Sequence, residues 1–249
     1  MQPFLFVTDL DNTFVGDDRA LEILTQKLLA HRQEFGTKIV YATGRSLTSF
    51  RRLAAEKNLP APDALVTSVG TEIFFDLNSE TPSEAWAQVQ APGWKREAIA
   101  AIAAQYPELT PQPPIGQGPF KVSFYLAETA AAALITKLET ALQEAGLAVQ
   151  LVYSGGKDLD VLPQVADKGR AVQFLQQHWG ETNDRTVVCG DSGNDIALFA
   201  HGSARGVIVG NARPELRAWH AQNQATYRYL AQSHYAAGIL EGLQHFNFL

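Results

Sequence analysis

Apolar strand-like runs alternate with amphipathic stretches at both ends of this chain, and that alternation limits the possible folds more than any single residue does. FLFVT (4–8) is followed by a helical pattern from Asp18 to Gln33, then TKIVYAT (37–43), a second helical pattern from Ser46 to Lys57, and ALVTSVG (64–70). The order βαβαβ implies a parallel sheet with right-handed crossovers. The pattern resumes late in the chain with a helix from Lys168 to Trp179, RTVVCGD (185–191), a helix after Asn194, RGVIVG (205–210) and a helix from near Pro214. Both ends are therefore expected to build one doubly wound, Rossmann-like α/β core.

From about Leu77 to Ser154 the composition changes. PSEAW, an Ala-rich helix after Trp94 and the loop PQPPIGQGP come first; the strand KVSFYL (121–126), a second Ala-rich helix from Thr129 to Ala145 and the strand LAVQLVYS (147–154) follow. Two helices with alternating strands suit an antiparallel sheet covered on one face, an α+β module inserted as a lid. The expected division is a core of residues 1–77 and 155–249 and a cap of 78–154. With 46% hydrophobic and 18% charged residues the 249-residue chain is not disordered, and a net charge of −6 argues against nucleic-acid or anionic-membrane partners. No apolar stretch nears the ~20 residues that span a bilayer, and the start runs into a strand with no basic flank. A cytoplasmic monomer is expected. The lone cysteine, Cys189, lies in the apolar run TVVCG, where a buried structural side chain is expected rather than a catalytic thiol.

Two acids, Asp9 and Asp11, alternate at the end of the first apolar run, in VTDLDNT. On an extended strand they point the same way, at the sheet edge where parallel folds hold ligands. Two such charges need a cation or a shared proton, and hard oxygen ligands favour Mg2+. Asp9 is then placed to attack phosphorus, and Asp11 to protonate the leaving oxygen and later deprotonate water. The competing reading is that both acids end a strand and cap a turn.

Thr43 ends the second strand in VYATGRS, where its hydroxyl could bind a transferring phosphoryl group or serve an ordinary turn. Gly44 allows close backbone approach, the next helix start offers amide hydrogens, and Ser46 reads as its N-cap. Arg45 reads either as a phosphate contact or as a surface ion pair. Lys168 opens a helix, where a cation opposes the macrodipole, so an anionic neighbour is expected unless the lysine is solvated behind an Asp167 cap. In VVCGDSGND, Asp191 is placed as a metal ligand, with Asn194 and Asp195 orienting it or reaching Lys168.

DLDNT, the Thr of ATGR, the isolated Lys168 and GDSGND together resemble the four motifs of the haloacid dehalogenase superfamily phosphatases. The resemblance implies Asp9 as nucleophile and Asp11 as acid/base. It also implies Mg2+ on Asp9, on the backbone carbonyl of Asp11 and on Asp191, with Asp195 a further metal candidate. The large insert resembles the C2 cap subclass, which implies a sugar phosphate substrate chosen by cap residues. The candidate substrate contacts are Thr43, Gly44, Arg45 and Asn194 in the core. SVGTEI (68–73) adds Gly70 and Glu72, GPFKVSFYL (118–126) adds Lys121, and SGGKDLDVLP (154–163) adds Lys157, Asp158 and Asp160. These segments, with QSHYAAGILEGLQHFNFL (232–249), are similar to the stand-alone sucrose-6-phosphate phosphatases of cyanobacteria, implying sucrose 6-phosphate as substrate and sucrose-phosphate synthase as a conceivable partner. In that resemblance the chain stops where plant members continue into an extra domain. His234 and Tyr235 read as pocket-shaping, core or helix-start residues. Other readings keep the chemistry with glucosylglycerol, mannosylglycerate or trehalose phosphate, transfer the phosphoryl group to a sugar, or make the chain a silent sugar-phosphate-binding module. The last is disfavoured because Asp9, Asp11, Lys168 and Asp191 are all present.

Overall fold

A computed structural model describes residues 2–249. Its strands are β1 (Leu5–Thr8), β2 (Lys38–Ala42), β3 (Ala64–Thr67), β4 (Glu72–Phe74), β5 (Thr110–Pro111), β6 (Val122–Tyr125), β7 (Val149–Ser154), β8 (Asp158–Pro163), β9 (Thr186–Gly190), β10 (Arg205–Ile208) and β11 (Arg228–Leu230). The helices are α1 (Asp18–Phe35), α2 (Leu47–Lys57), α3 (Glu84–Gln90), α4 (Arg96–Ala103), α5 (Glu128–Glu144), α6 (Lys168–Trp179), α7 (Ile196–Ala200), α8 (Pro214–Gln222) and α9 (Tyr235–His245).

Among the described residues the strands form two sheets, ordered β11-β10-β9-β1-β2-β3-β4 and β5-β6-β8-β7. The larger sheet is parallel except for β4, which runs antiparallel to β3 at the edge. β1 sits between β2 and β9, so the chain winds outward to one side after β1 and to the other after β9. That reversal opens a crevice at the strand ends, where open α/β sheets bind ligands. Both faces are covered, hence the unbroken apolar runs. Phe6, Tyr41 and Cys189 pack on the side of α1, α2 and α9, while Val7, Ala42 and Val188 pack toward α6, α7 and α8. Cys189 is wholly buried, and burial pushes its thiol well above the usual range. Caps fix the helix starts: Asp17 accepts from Ala20 N, Ser46 from Ser49 N and Asp167 from Arg170 N.

The smaller sheet is antiparallel. Val122, Phe124, Leu159 and Val161 face α4 and α5, burying Ile99, Leu134, Leu138 and Leu142 between the layers. Period-two alternation therefore sends Ser123, Asp158 and Asp160 to the opposite face.

Three expectations change. The insert does not begin at 78: α3 belongs with the larger sheet, where Trp86 is buried beside Val66 and Val172 and donates its indole N–H to Gly70 O at 2.9 Å. Nor does it end at 154, because β8 pairs with β6 and β7 inside the smaller sheet as far as Pro163. The third concerns ALVTSVG, whose strand stops at Thr67. Ser68, Val69 and Gly70 turn through positive φ (53°, 60° and 99°) before β4 doubles back. Gly70 is required there, since a Cβ would lie 2.1 Å from the carbonyl carbon of Asp167. No described helix is long and apolar enough to cross a membrane.

Candidate active site

The ends of β1, β2 and β9 meet the polar face of the smaller sheet around a cleft of about 530 Å³. Lys168 lies beneath its floor, behind Asp9 and Asn194. As the first residue of α6 it has no exposure at all, and its Nζ donates to Asp9 Oδ1 (2.7 Å), Asp195 Oδ1 (2.7 Å) and Asn194 Oδ1 (3.0 Å). The solvated-lysine reading is excluded, yet Asp167 caps the helix as that reading required. Burial by itself would depress the Lys168 ammonium; Asp195 and Asp9 outweigh it and hold its pKa above the ordinary lysine value.

Asp9 follows β1 directly and is 5% exposed, its backbone N bonded to Cys189 O at 3.0 Å. Burial raises its carboxyl to about 7 against the opposing pull of Lys168. Asp191 follows β9, and burial, with Asp195 and Asp9 nearby, raises it to about 8. Oxygens of Asp9, Asp191 and Asp195 lie within 4.8 Å of one another, all buried. This donor set carries more negative charge than Lys168 offsets, which suits a divalent cation with oxygen ligands. Asp195 is already heavily engaged: Oδ1 meets Lys168, and Oδ2 accepts from the backbone N of Asp191 (2.9 Å) and Ser192 (3.0 Å).

The side chain of Asp11 stands apart from this cluster. The strand ends at Thr8, so the extended alternation does not persist, and Arg45 Nε and Nη2 each bond an Asp11 oxygen at 2.7 Å. Arg45 Nη1 is anchored on Ser49 Oγ at 2.9 Å. Arg45 therefore makes an ion pair, but one inside the cleft. Thr43 is fully buried, with Oγ1 accepting from Arg45 N at 3.1 Å, while Gly44 lines the cleft.

On the cap wall, Asp160 is 4% exposed; Ser123 Oγ lies 2.5 Å and Lys121 Nζ 3.5 Å from its Oδ1. Gln112 Nε2 donates to Asp158 Oδ1 at 2.9 Å, and burial raises the Asp158 pKa. Lys157 is exposed and, like Asn194, lines the cleft. Gly70 and Glu72 do not. Gly70 packs against the start of α6, and Glu72 Oε2 accepts from Thr67 Oγ1 (2.7 Å) and Ser68 Oγ (2.9 Å), holding the left-handed turn. His234 stands at the N-cap position of α9 with no side-chain capping bond and lies outside the cleft, as does Tyr235.

Four residues were missed. Thr13 Oγ1 bonds Asp191 Oδ1 at 3.1 Å, and its place in DLDNT was the available signal. Gln112 and Arg213 line the cleft, and Ser123, fully buried, holds Asp160 from behind; the strand alternation of KVSFYL could have picked out Ser123, whereas Gln112 and Arg213 sit in loops with no periodicity to mark them.

Comparison with known proteins adds to this geometry. The sequence model of the sucrose-6F-phosphate phosphohydrolases matches residues 2–247. Sucrose-phosphatase 1 of Nicotiana tabacum is 39% identical over 252 residues, 98% of this chain; the chain spans 59% of that relative's length. The mannosylfructose-phosphate phosphatase of Agrobacterium fabrum is 36% identical over 98% of both chains. Among solved structures, the sucrose-phosphatase of Synechocystis sp. PCC6803 in complex with sucrose and phosphate superposes with a TM-score of 0.93, at 45% identity and 99% coverage of each chain.

Proposed function

This chain belongs to the sucrose-6F-phosphate phosphohydrolase family, and from that membership we propose that it hydrolyses sucrose 6-phosphate to sucrose and phosphate. The observation that carries the reading is the contact of Lys168 with Asp9 beneath a polar cap wall, which joins phosphoryl chemistry to sugar recognition in one cleft. The proposed division is a core of residues up to Gln90 and from Gln164, with a cap between them.

Lys168 occupies Asp9 Oδ1 and leaves Oδ2 to attack phosphorus. As the O–P bond forms, the ester P–O bond breaks, and the sugar oxygen takes a proton from Asp11. Water then attacks the aspartyl-phosphate, giving its proton to Asp11 and freeing Asp9. Asp11 must leave Arg45 to do this, because a carboxylate accepting on both oxygens has no proton to give. Thr43, Gly44 and Asn194 would face the phosphoryl group, and the fixed charge of Lys168 stabilises both transition states. Mg2+ suits the donor set; Asp9, Asp191 and the Asp11 carbonyl would hold it, with Asp195 acting through Lys168 and the turn amides. When bound, it would supply Lewis-acid neutralisation of the phosphoryl oxygens. Lys121, Lys157, Asp158 and Asp160 would bind the sugar hydroxyls, with Ser123 holding Asp160 from behind.

A second reading is favoured by the 36% identity to a mannosylfructose-phosphate phosphatase over nearly all of both chains. Glucose and mannose differ in configuration at one carbon, so the two substrates test one wall of the cleft. Specificity constants for a panel of sugar phosphates at fixed Mg2+ decide between them. A clear preference for sucrose 6-phosphate supports the proposal; preference for the mannosyl compound replaces the substrate and keeps the chemistry. No phosphate release from any ester, with binding intact, ends the enzyme reading.

A further inference from the structure

The turn between β7 and β8 carries two of the cleft's polar groups, Lys157 and Asp158, and a core side chain is hydrogen-bonded to it. Gly155 N donates to Glu215 Oε1 at 3.2 Å. The turn needs its glycines: Gly155 and Gly156 are both left-handed, at φ 61° and 70°. Glu215 is the second residue of α8, and its Cγ lies 3.2 Å from where a Cβ on Gly193 would stand; Tyr153 O lies 2.3 Å from the same point. Cap turn, the 191–195 loop and the start of α8 therefore meet at one junction. Arg213, two residues before Glu215, donates its backbone N to Asp191 O at 2.7 Å, which fixes α8 to the acidic cluster.

We propose that Glu215 is a positioning residue for substrate specificity: its carboxylate oxygen holds the β7–β8 turn so that Lys157 and Asp158 face the sugar. It touches neither the phosphoryl group nor, by its place behind the turn, the sugar. The effect is confined to substrates long enough to reach the cap. An alkyl or aryl phosphate that stops at the floor does not sense it. This inference rests on the reading of the cleft as a sugar-phosphate site.

The test compares Glu215→Ala with Glu215→Gln, since glutamine keeps an acceptor oxygen and loses the charge. For Glu215→Ala, KM for sucrose 6-phosphate rises about tenfold, as expected from losing one charge-assisted hydrogen bond, while kcat stays within about twofold. Its kcat/KM for p-nitrophenyl phosphate stays at the wild-type value. Trypsin cuts after the exposed Lys157 several times faster than in wild type, because the untied turn opens. Glu215→Gln stays close to wild type in both measurements. Unchanged KM and proteolysis in Glu215→Ala overturn the proposal, as do equal losses on the sugar and aryl esters, or a glutamine variant as impaired as the alanine one. A wild type that does not prefer the sugar phosphate to the aryl ester overturns the functional reading instead, and the trypsin comparison still decides whether Glu215 holds the turn.

Discussion

Each half of the molecule buries a lysine among carboxylates, and the two are handled differently. Lys168, beneath the floor, spends its ammonium on three oxygens at 2.7, 2.7 and 3.0 Å. Lys121, on the wall and 4% exposed, has one acceptor, Asp160 Oδ1, at 3.5 Å, and that oxygen is also 2.5 Å from Ser123 Oγ. A fully engaged ammonium is a fixed charge, as a charge-developing reaction requires. An under-engaged one keeps donors in hand for hydroxyls that arrive with a ligand. On the proposed function the floor serves chemistry and the wall recognition, and that division has measurable consequences.

The largest effect belongs to the floor. Asp9→Asn is expected to lower kcat by at least ~10⁴-fold with the circular dichroism spectrum unchanged, the size typical of losing a nucleophile; substantial residual turnover would remove Asp9 from its role. Lys168→Met leaves Asp9 and Asp195 buried without their cation, so kcat falls by ~10³-fold and stability by about 3–5 kcal/mol. Lys121→Met should instead raise KM for sucrose 6-phosphate by ~10–100-fold with kcat within a few-fold, as the loss of charged hydrogen bonds to substrate implies. Equal kcat losses in the two lysine variants would erase the distinction. A smaller change is expected from Asp160→Asn, which should alter the ratio of specificity constants for sucrose and mannosylfructose phosphates by about tenfold; an unaltered ratio would take Asp160 out of sugar selection.

The smallest effect is thermodynamic. Burial raises Asp9 to about 7 and Asp191 to about 8 in the folded protein, whereas both ionise near 4 when unfolded. The folded state therefore binds more protons between these values. In metal-free protein, stability should be fully present below about pH 4 as far as these two groups go, and be lost as pH rises through 7 and 8. A divalent cation that binds the ionised acids reverses the loss, so the gain in Tm on adding Mg2+ should be larger at pH 8 than at pH 6. Equal gains at both pH values would show that the cation does not sit on this pair.

The floor was readable in the sequence because its residues sit at the ends of apolar runs, where the parallel sheet gathers them whatever the loop lengths. Asp9 and Asp191 needed no more than that topology, whereas Lys168 opens α6 after a strand of the smaller sheet, and its ion pairs were one of two readings the sequence left open. Asp11 lies three residues beyond the strand end at Thr8, where the two-residue alternation no longer holds, and Arg45 captures its side chain at the edge of the cleft. Gly70 and Glu72 read as sugar contacts because left-handed turns leave little periodicity; in the structure they shape the turn that packs on Asp167. Gln112 and Arg213 come to the cleft through tertiary folding of separate loops. The insert's edges were blurred for the same reason: Trp86 resembles any apolar helix residue until its partner Gly70 O is known.

Four residues, Gln164 to Asp167, separate β8 of the cap from Lys168. The Gln150 side-chain amide clamps that span, donating to Pro163 O at 3.1 Å and Ala166 O at 2.8 Å. For protein engineering the consequence is a grafting rule. At the return crossing a donor cap must end in register, since a one-residue slip there would rotate the Lys168 ammonium by about 100° around the helix axis of α6.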